Sequence, residues 1–156
     1  MSKLQVQIVH LEPLRVASAL GFGASPEPLA WAQILAFASA RGLLGKPGVR
    51  FLGFNNPSPS CGSPNYGYEQ WITVGPEMQG AGEVAVKEFP GGLYAVARCH
   101  GVPEIGPTWQ ALLAWLEDSP YRQGPHQWLE ECLDPPRDPA ASFDDILFDL
   151  YLPLVE

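Results

Sequence analysis

Basic residues are scarce in this sequence, which has 9 lysines and arginines against 17 aspartates and glutamates and a formal net charge of −8. No cluster of lysine or arginine is present to follow a phosphate backbone, so we expect no direct nucleic-acid partner. The acidic balance is compatible with cationic ligands, although a solvated acidic surface is the commoner reason for such a balance.

Cysteines and long apolar runs are also few. The three cysteines, Cys61, Cys99 and Cys132, are odd in number and widely spaced, which fits reduced thiols better than a disulfide framework. No apolar run approaches the ~20 residues of a membrane-spanning helix, and residues 1–5 lack the apolar stretch of a signal peptide. We therefore expect a soluble, cytoplasmic protein without a membrane partner.

Several catalytic and cofactor motifs are missing. There is no phosphate-binding P-loop and no Gly-x-Ser-x-Gly nucleophile elbow, and the glycines at 21 and 23 begin a dinucleotide fingerprint that lacks its third glycine. Cys99 and His100 are neighbours on a predicted strand, so their side chains should point to opposite faces. His10 and His126 stand alone in the sequence. We predict neither a metal site nor a cofactor.

An internal repeat is the most informative feature that is present. A shift of 78 positions places Trp31 on Trp109 and Leu35 on Leu113, so residues 1–78 and 79–156 resemble two copies of one module. Chance similarity between two amphipathic segments is the alternative. A repeat of two predicts a pseudo-two-fold fold within one domain of 156 residues, with a groove between the halves where we expect the function to lie.

Each half is predicted to run strand–strand–helix–strand–strand. The first helix begins at Ser25-Pro26 and ends at Gly42, and the second runs from about Glu104 to Ser119-Pro120. Loops are expected at 56–65 and 134–139. The predicted strands cover residues 6–11, 16–21, 50–55, 68–74, 84–89, 93–99, 127–133 and 146–152. Strands interrupted by one helix per half predict an α+β fold, with helices covering one side of a sheet.

Two predicted strands carry a carboxylate among aromatic residues. Strand alternation places Glu69 with Trp71, and it places Glu130 with Trp128 while Glu131 faces the other way. A glutamate near aromatic rings is costly unless it is paired, solvated or protonated. A lipophilic cation would also compensate it, through Coulomb attraction and cation–π contact. The alternative is that both glutamates of the second strand lie in water on an edge strand and Trp128 lies in the core.

Five segments together resemble the GyrI-like small-molecule-binding family, which includes the effector-binding domains of AraC-type and multidrug-responsive regulators. They are residues 50–57 (RFLGFNNP), 66–74 (YGYEQWITV), 89–96 (FPGGLYAV), 127–131 (QWLEE) and 150–154 (LYLPL), so the resemblance covers almost the whole chain. It implies two pseudo-symmetric β-α-β-β modules, an antiparallel sheet with helices on one side, and a central cleft for hydrophobic, planar and often cationic compounds.

The resemblance also suggests site residues. The family's glutamate lies two residues before an aromatic residue near the end of the penultimate strand, so Glu130 matches and Cys132 stands in the aromatic position. An alignment slip of one residue would transfer the role to Glu131. We favour Glu130, because alternation places it beside Trp128. The further candidates for the cleft are Glu69, Trp31, Tyr68, Trp71, Trp109 and Tyr151.

Three functions are compatible with this resemblance. The first is a multidrug-binding protein, either a monomer or a homodimer. It is expected to stand alone, because the sequence contains no helix-turn-helix segment. The second is a hydrolase of cyclopropane-bearing DNA-alkylating natural products, in which Glu130 would activate water and Tyr68 or Tyr151 would stabilise a phenolate. The third is a gyrase inhibitor that mimics DNA, but the acidic residues are scattered rather than arranged in rows. We favour the binding protein.

Overall fold

The structure is a computed structural model that describes residues 4–136 and 141–156. Its strands are β1 (Gln7–Leu11), β2 (Leu14–Gly23), β3 (Phe51–Asn55), β4 (Tyr66–Thr73), β5 (Ala85–Phe89), β6 (Gly92–His100), β7 (Leu129–Cys132) and β8 (Leu147–Pro153). Its helices are α1 (Pro26–Ala40) and α2 (Ile105–Glu117), the latter preceded by a 3₁₀ turn at Val102–Glu104. No helix within these described ranges is long and apolar enough to cross a membrane.

The chain divides into two compact units. Unit 1 consists of the described parts of Met1–Pro13, Pro90–Pro135 and Ser142–Glu156, and unit 2 of those of Leu14–Phe89 and Pro136–Ala141. Each unit contains four antiparallel strands with one helix packed on them, in the order β1-β6-β8-β7 with α2 in unit 1 and β3-β4-β2-β5 with α1 in unit 2. The predicted α+β class and antiparallel pairing are confirmed.

The first strand of each sequence half pairs with a strand of the other half. β1 precedes β2 in the chain but pairs with β6, and β5 precedes β6 but pairs with β2. The bounds of β1 and β5 differ by 78 residues, as do the starts of β2 and β6. The compact units therefore do not coincide with residues 1–78 and 79–156. Hydrophobic periodicity predicts which segments are strands but does not identify their partners.

The two helices differ in how deeply they are buried. α1 begins with Pro26 at its first position after Ser25, whose side chain makes no capping hydrogen bond, and the chain turns away at Gly42 with φ of 68°. The predicted apolar face of α1 is buried, as the spacing of Trp31, Ile34, Leu35 and Ala38 requires. In α2, by contrast, Leu112 is buried while Trp109, Leu113 and Leu116 are half-buried.

Strand ends differ from the prediction by one to two residues in most places. β7 covers Leu129–Cys132 and is therefore shorter than the predicted 127–133. The Tyr94 hydroxyl donates to the Gln127 carbonyl at 2.5 Å, and the Gln127 side-chain amide donates to the Trp128 carbonyl at 3.0 Å. Of the predicted loop 134–139, residues 137–139 lie outside the described residues.

Candidate functional site

The helix-facing side of the unit 1 sheet brings three of the predicted site residues together. Trp109 of α2 donates its indole N–H to Glu130 Oε2 at 3.1 Å. The rings of Trp109 and Trp128 lie 5.1 Å apart and are tilted by 47°. All three side chains are half-buried. We call Trp109, Trp128 and Glu130 the Glu130 cluster; it joins a carboxylate to two indoles at a place that solvent partly reaches.

The opposite side of the same sheet carries Glu131. Directly paired residues of antiparallel strands point to the same face, so Glu131 lies with its partner Asp149 and away from α2. The Tyr151 hydroxyl donates to Glu131 Oε1 at 2.7 Å, and Arg98 forms a salt bridge with Asp149 at 2.9 Å. Tyr151, predicted to line the same cleft as Glu130, therefore contacts the neighbouring glutamate on the other face.

In unit 2 the helix-facing side is closed by aromatic and amide packing. Trp31 of α1 stacks on Phe51 with ring centroids 5.6 Å apart, and it is only 6% exposed. Gly53 follows two residues later, and a Cβ built there would lie 2.3 Å from the Tyr68 hydroxyl and 2.7 Å from Gln70 Oε1. The absence of a side chain at position 53 is what gives Tyr68 and Gln70 room against the strand.

Glu69 is buried on the other face of unit 2 with four side-chain donors. Its Oε2 accepts bonds of 2.7 Å each from Ser18, Trp71 and Lys87, and Asn56 donates to Oε1 at 3.1 Å. Burial tends to raise the pKa of this carboxyl, but the four donors outweigh burial and hold the pKa below its usual value. We call these five residues the Glu69 network. It ties β2, β4 and β5 to the residue that follows β3.

The pairing registers show which residue of unit 2 stands where Glu130 stands in unit 1. Across the sheet of unit 2 the paired row is Ala19, Gln70 and Gly53; in unit 1 it is Ala97, Leu150 and Glu130. A glycine in a sealed interior thus occupies the position that carries a half-exposed carboxylate in unit 1. The 78-residue shift alone would have matched Glu130 with Leu52, one residue away.

The buried thiols contribute little reactive chemistry. Burial raises the pKa of Cys132 to about 12 and also raises that of Cys99, which is further raised by the nearby Glu130 carboxylate and lowered by a hydrogen bond with Thr108. Thiols held protonated in this way are poor nucleophiles. Within the described residues no group of three or more His, Cys, Asp and Glu side chains converges to hold a metal ion.

A groove in unit 2 was missed by sequence reasoning. It has a volume of about 510 Å³ and is lined by Gln33 and Phe37 of α1, by Arg41 directly after α1, and by Glu83 and Val84. The Arg41 guanidinium lies 3.9 Å above the Phe37 ring. None of the residues predicted for the cleft lines this groove. Polar residues such as Gln33 add nothing to the apolar periodicity from which the helix is predicted, so the groove cannot be found from the sequence.

The predicted site residues thus separate into four groups. Trp109, Trp128 and Glu130 meet on the helix side of unit 1, and Tyr151 lies on that sheet's other side. Trp31 and Tyr68 are core residues on the helix side of unit 2, and Glu69 and Trp71 meet on the opposite side. In neither unit do all the candidates of that unit share one face of the sheet.

Comparison with known proteins is consistent with this architecture. The family profile described as GyrI-like small molecule binding domain matches residues 4–155. No curated protein matches the chain in sequence. The fold is similar to the EcmrR C-terminal domain, with 13% identity, a TM-score of 0.71, and 98% of each chain covered. In the EcmrR–DNA complex (12% identity, TM-score 0.72) the likeness covers 100% of this chain and 59% of that one.

Two further solved structures resemble the chain. A hydrolase from Listeria innocua is 14% identical with a TM-score of 0.63, covering 99% of this chain and 94% of that chain. SAV2435 bound to tetraphenylphosphonium is 13% identical with a TM-score of 0.57, covering 97% of this chain and 94% of that chain. At such low identities the likeness shows the fold alone.

Proposed function

Because the chain belongs to the GyrI-like small-molecule-binding family, we propose that it binds lipophilic, planar, cationic compounds at the Glu130 cluster. The observation that carries this proposal is the hydrogen bond of 3.1 Å from the Trp109 indole to the Glu130 carboxylate. A second indole, that of Trp128, lies beside it with ring centroids 5.1 Å apart. Indole faces attract organic cations through their quadrupole, and a nearby carboxylate adds Coulomb attraction.

The contrast between Glu130 and Glu69 supports the choice of glutamate. Glu69 is 3% exposed and its carboxylate is already bonded to the Lys87 ammonium at 2.7 Å, so a ligand cation would have to displace a lysine. Glu130 is half-buried and accepts a hydrogen bond from the Trp109 indole N–H at 3.1 Å. A ligand cation therefore reaches the carboxylate of Glu130 more easily than the buried carboxylate of Glu69.

The ligand class is supported from outside the chain as well. SAV2435, a protein of similar fold, has been solved with tetraphenylphosphonium, which is a lipophilic cation. The formal net charge of −8 of the present chain favours the approach of cations over anions. Both observations point to the same class of compound, and neither selects an individual member of it.

A fluorescence titration tests the proposal. A rhodamine dye, planar and cationic, is titrated into the wild-type protein while tryptophan quenching is followed, and the titration is repeated with Glu130→Gln. We expect micromolar binding that weakens about tenfold in the variant, roughly 1.4 kcal/mol. Glu131→Gln is the matched control, because it makes the same change one residue along on the other face, and it should leave binding unchanged.

Two results would contradict the proposal. If Glu131→Gln weakens binding and Glu130→Gln does not, the ligand lies on the face that carries Tyr151. If the wild-type protein binds no planar cation at any attainable concentration, the cation-receptor function is wrong for this chain.

Hydrolysis of cyclopropane-bearing alkylating compounds is the second candidate, and the resemblance to the Listeria innocua hydrolase favours testing it. One of the two phenols predicted to assist Glu130 bonds elsewhere, because the Tyr151 hydroxyl donates to Glu131. A carboxylate and a phenol do meet in Glu131 and Tyr151. Mass spectrometry of a cyclopropanoid substrate after incubation would detect the water adduct that a hydrolase forms, and unchanged substrate would exclude this activity.

A further inference from the structure

We propose that the outer edge of β2 at residues 19–23 is a homodimer interface, where the edge pairs with the same segment of a second copy. β4 pairs with β2 from Val16 to Gly23, whereas β5 pairs with it only from Leu14 to Ser18. No strand within residues 4–136 and 141–156 pairs with the second side of β2 beyond Ser18. Such an open edge presents backbone groups that can continue a sheet into another chain.

The side chains at this edge are apolar and exposed. Leu20 is 50% exposed and Phe22 57%, and both lie on the sheet face opposite α1. Leu29 of α1, which is 51% exposed, lies beside Gly21 on the other face, where its Cβ is 3.1 Å from the place a Cβ of Gly21 would take. Large apolar side chains grouped at an unpaired strand edge indicate a contact surface rather than an ordinary solvated surface.

Unit 1 contains a comparable edge that is protected. β1 pairs with β6 only from Gly92 to Val96, which leaves the outer side of β6 from Ala97 to His100 without a strand among the described residues. The exposed side chains there are Arg98 and His100, at 60% and 64%. Charged side chains on an edge are a common protection against edge-to-edge association. The edge of β2 has the same geometry without that protection.

A second copy of the chain fits this edge because the segment is self-complementary. Antiparallel pairing across a two-fold axis that places Gly21 opposite its own copy brings Leu20 opposite Phe22 of the second copy, and Phe22 opposite Leu20. The segment Ala19-Leu20-Gly21-Phe22-Gly23 contains no charge, so the pairing brings no like charges together despite the acidic chain. One short strand pair is smaller than the roughly 800 Å² per partner of a stable interface, so a weak, concentration-dependent dimer is expected.

Sedimentation velocity across a concentration series tests the dimer. The wild-type protein, kept in reductant because Cys61 is exposed, should shift from monomer to dimer as the concentration rises towards the millimolar range. Phe22→Lys places a charge opposite Leu20 of the second copy and should remain monomeric throughout. Ile8→Lys is the matched control: Ile8 is 41% exposed on the edge strand of unit 1, so its replacement should leave the dimer intact.

Hydrogen exchange supplies a readout at the edge itself. The amides of residues 19–23 should gain protection with rising concentration in the wild-type protein and not in Phe22→Lys. Leu20→Lys serves as a second variant, and circular dichroism establishes that each variant is folded. A wild-type protein that stays monomeric at all concentrations overturns the proposal, and so does a dimer that survives both lysine substitutions.

Discussion

The space between the helix and the sheet is filled differently in the two units. In unit 2 the helix tryptophan, Trp31, is buried against Phe51, and Gly53 leaves room for a buried phenol and amide. In unit 1 the helix tryptophan, Trp109, is half-buried, and Glu130 occupies the position that corresponds to Gly53. In unit 2 this space is filled by buried core side chains, whereas in unit 1 it contains a charged and partly exposed cluster.

The two helices differ in the same way, in the number of side chains that they bury. Seven side chains of α1 are buried, against Leu112 in α2. A helix held by few buried contacts can move at lower cost than one held by many. A ligand site under α2 is therefore compatible with local opening, whereas opening of α1 would expose part of the core. The two units thus share a strand-pairing geometry but differ in how firmly the helix is packed on it.

The largest expected effect concerns this difference in burial. Leu35→Ala in α1 should lower the free energy of unfolding by about 2–5 kcal/mol, because a buried leucine leaves a cavity. The residue 78 positions later, Leu113, is half-buried, so Leu113→Ala should cost clearly less. Urea denaturation of both variants measures the two values. Equal costs would mean that α2 is packed as firmly as α1.

The next effect concerns Gly53. Gly53→Ala should lower the free energy of unfolding by about 1–3 kcal/mol, because the added methyl group collides with the hydroxyl of Tyr68. Leu52→Ala at the neighbouring position is not a suitable control, since it removes a buried side chain. Tyr68→Phe in the Gly53→Ala background is suitable, because it removes the colliding hydroxyl and should restore part of the loss. If Tyr68→Phe restores none of the lost stability, the strain does not arise from the Tyr68 hydroxyl.

The Glu69 network should make stability depend on pH. A carboxyl whose pKa is lowered by folding stabilises the protein above its unfolded pKa, and that contribution is lost as pH falls through the folded pKa. Wild-type stability should thus fall as the pH drops below about 4.5, the usual value for glutamate. Glu69→Gln should be less stable at neutral pH by about 1–3 kcal/mol and should show a flatter acid limb. Thermal denaturation across pH compares the two.

The smallest effect distinguishes the two helix tryptophans. Trp109→Leu should weaken the binding of a planar cation by about 0.5–1 kcal/mol, a few-fold in affinity, since one of two indole faces is lost. Trp31→Leu should reduce stability and leave the affinity of the folded protein unchanged. Calorimetric titration at a temperature where both variants are folded measures the affinities. Equal losses of affinity would mean that the two units are not divided in this way.

The sequence predicts the elements of this fold better than their arrangement. The turn residues and apolar spacing locate both helices and all eight described strands, because those signals are local. The pairing of β1 with β6 and of β5 with β2 depends on long-range contacts, which no local pattern predicts. The position of Glu130 on the helix side follows from strand alternation beside Trp128, whereas its contact with Trp109 depends on how α2 crosses the sheet.

The predicted cleft residues illustrate the same limit. Alternation on a single strand places Glu69 with Trp71 and separates both from Tyr68, as the structure has them. Alternation cannot relate Tyr151 to Glu130, because the two lie on different strands whose register is set by the fold. Lys87 of the Glu69 network could not be anticipated either, because it reaches Glu69 only after β5 has paired with β2.

The most direct test of the central claim is the charge selectivity of binding and its dependence on Glu130. Tetraphenylphosphonium and neutral triphenylphosphine oxide, which share phenyl groups but differ in charge, are titrated into the wild-type protein and into Glu130→Gln. We predict that the wild type prefers the cation and that the preference falls about tenfold in the variant, while the neutral compound binds both proteins alike. An unchanged preference in Glu130→Gln would contradict the account.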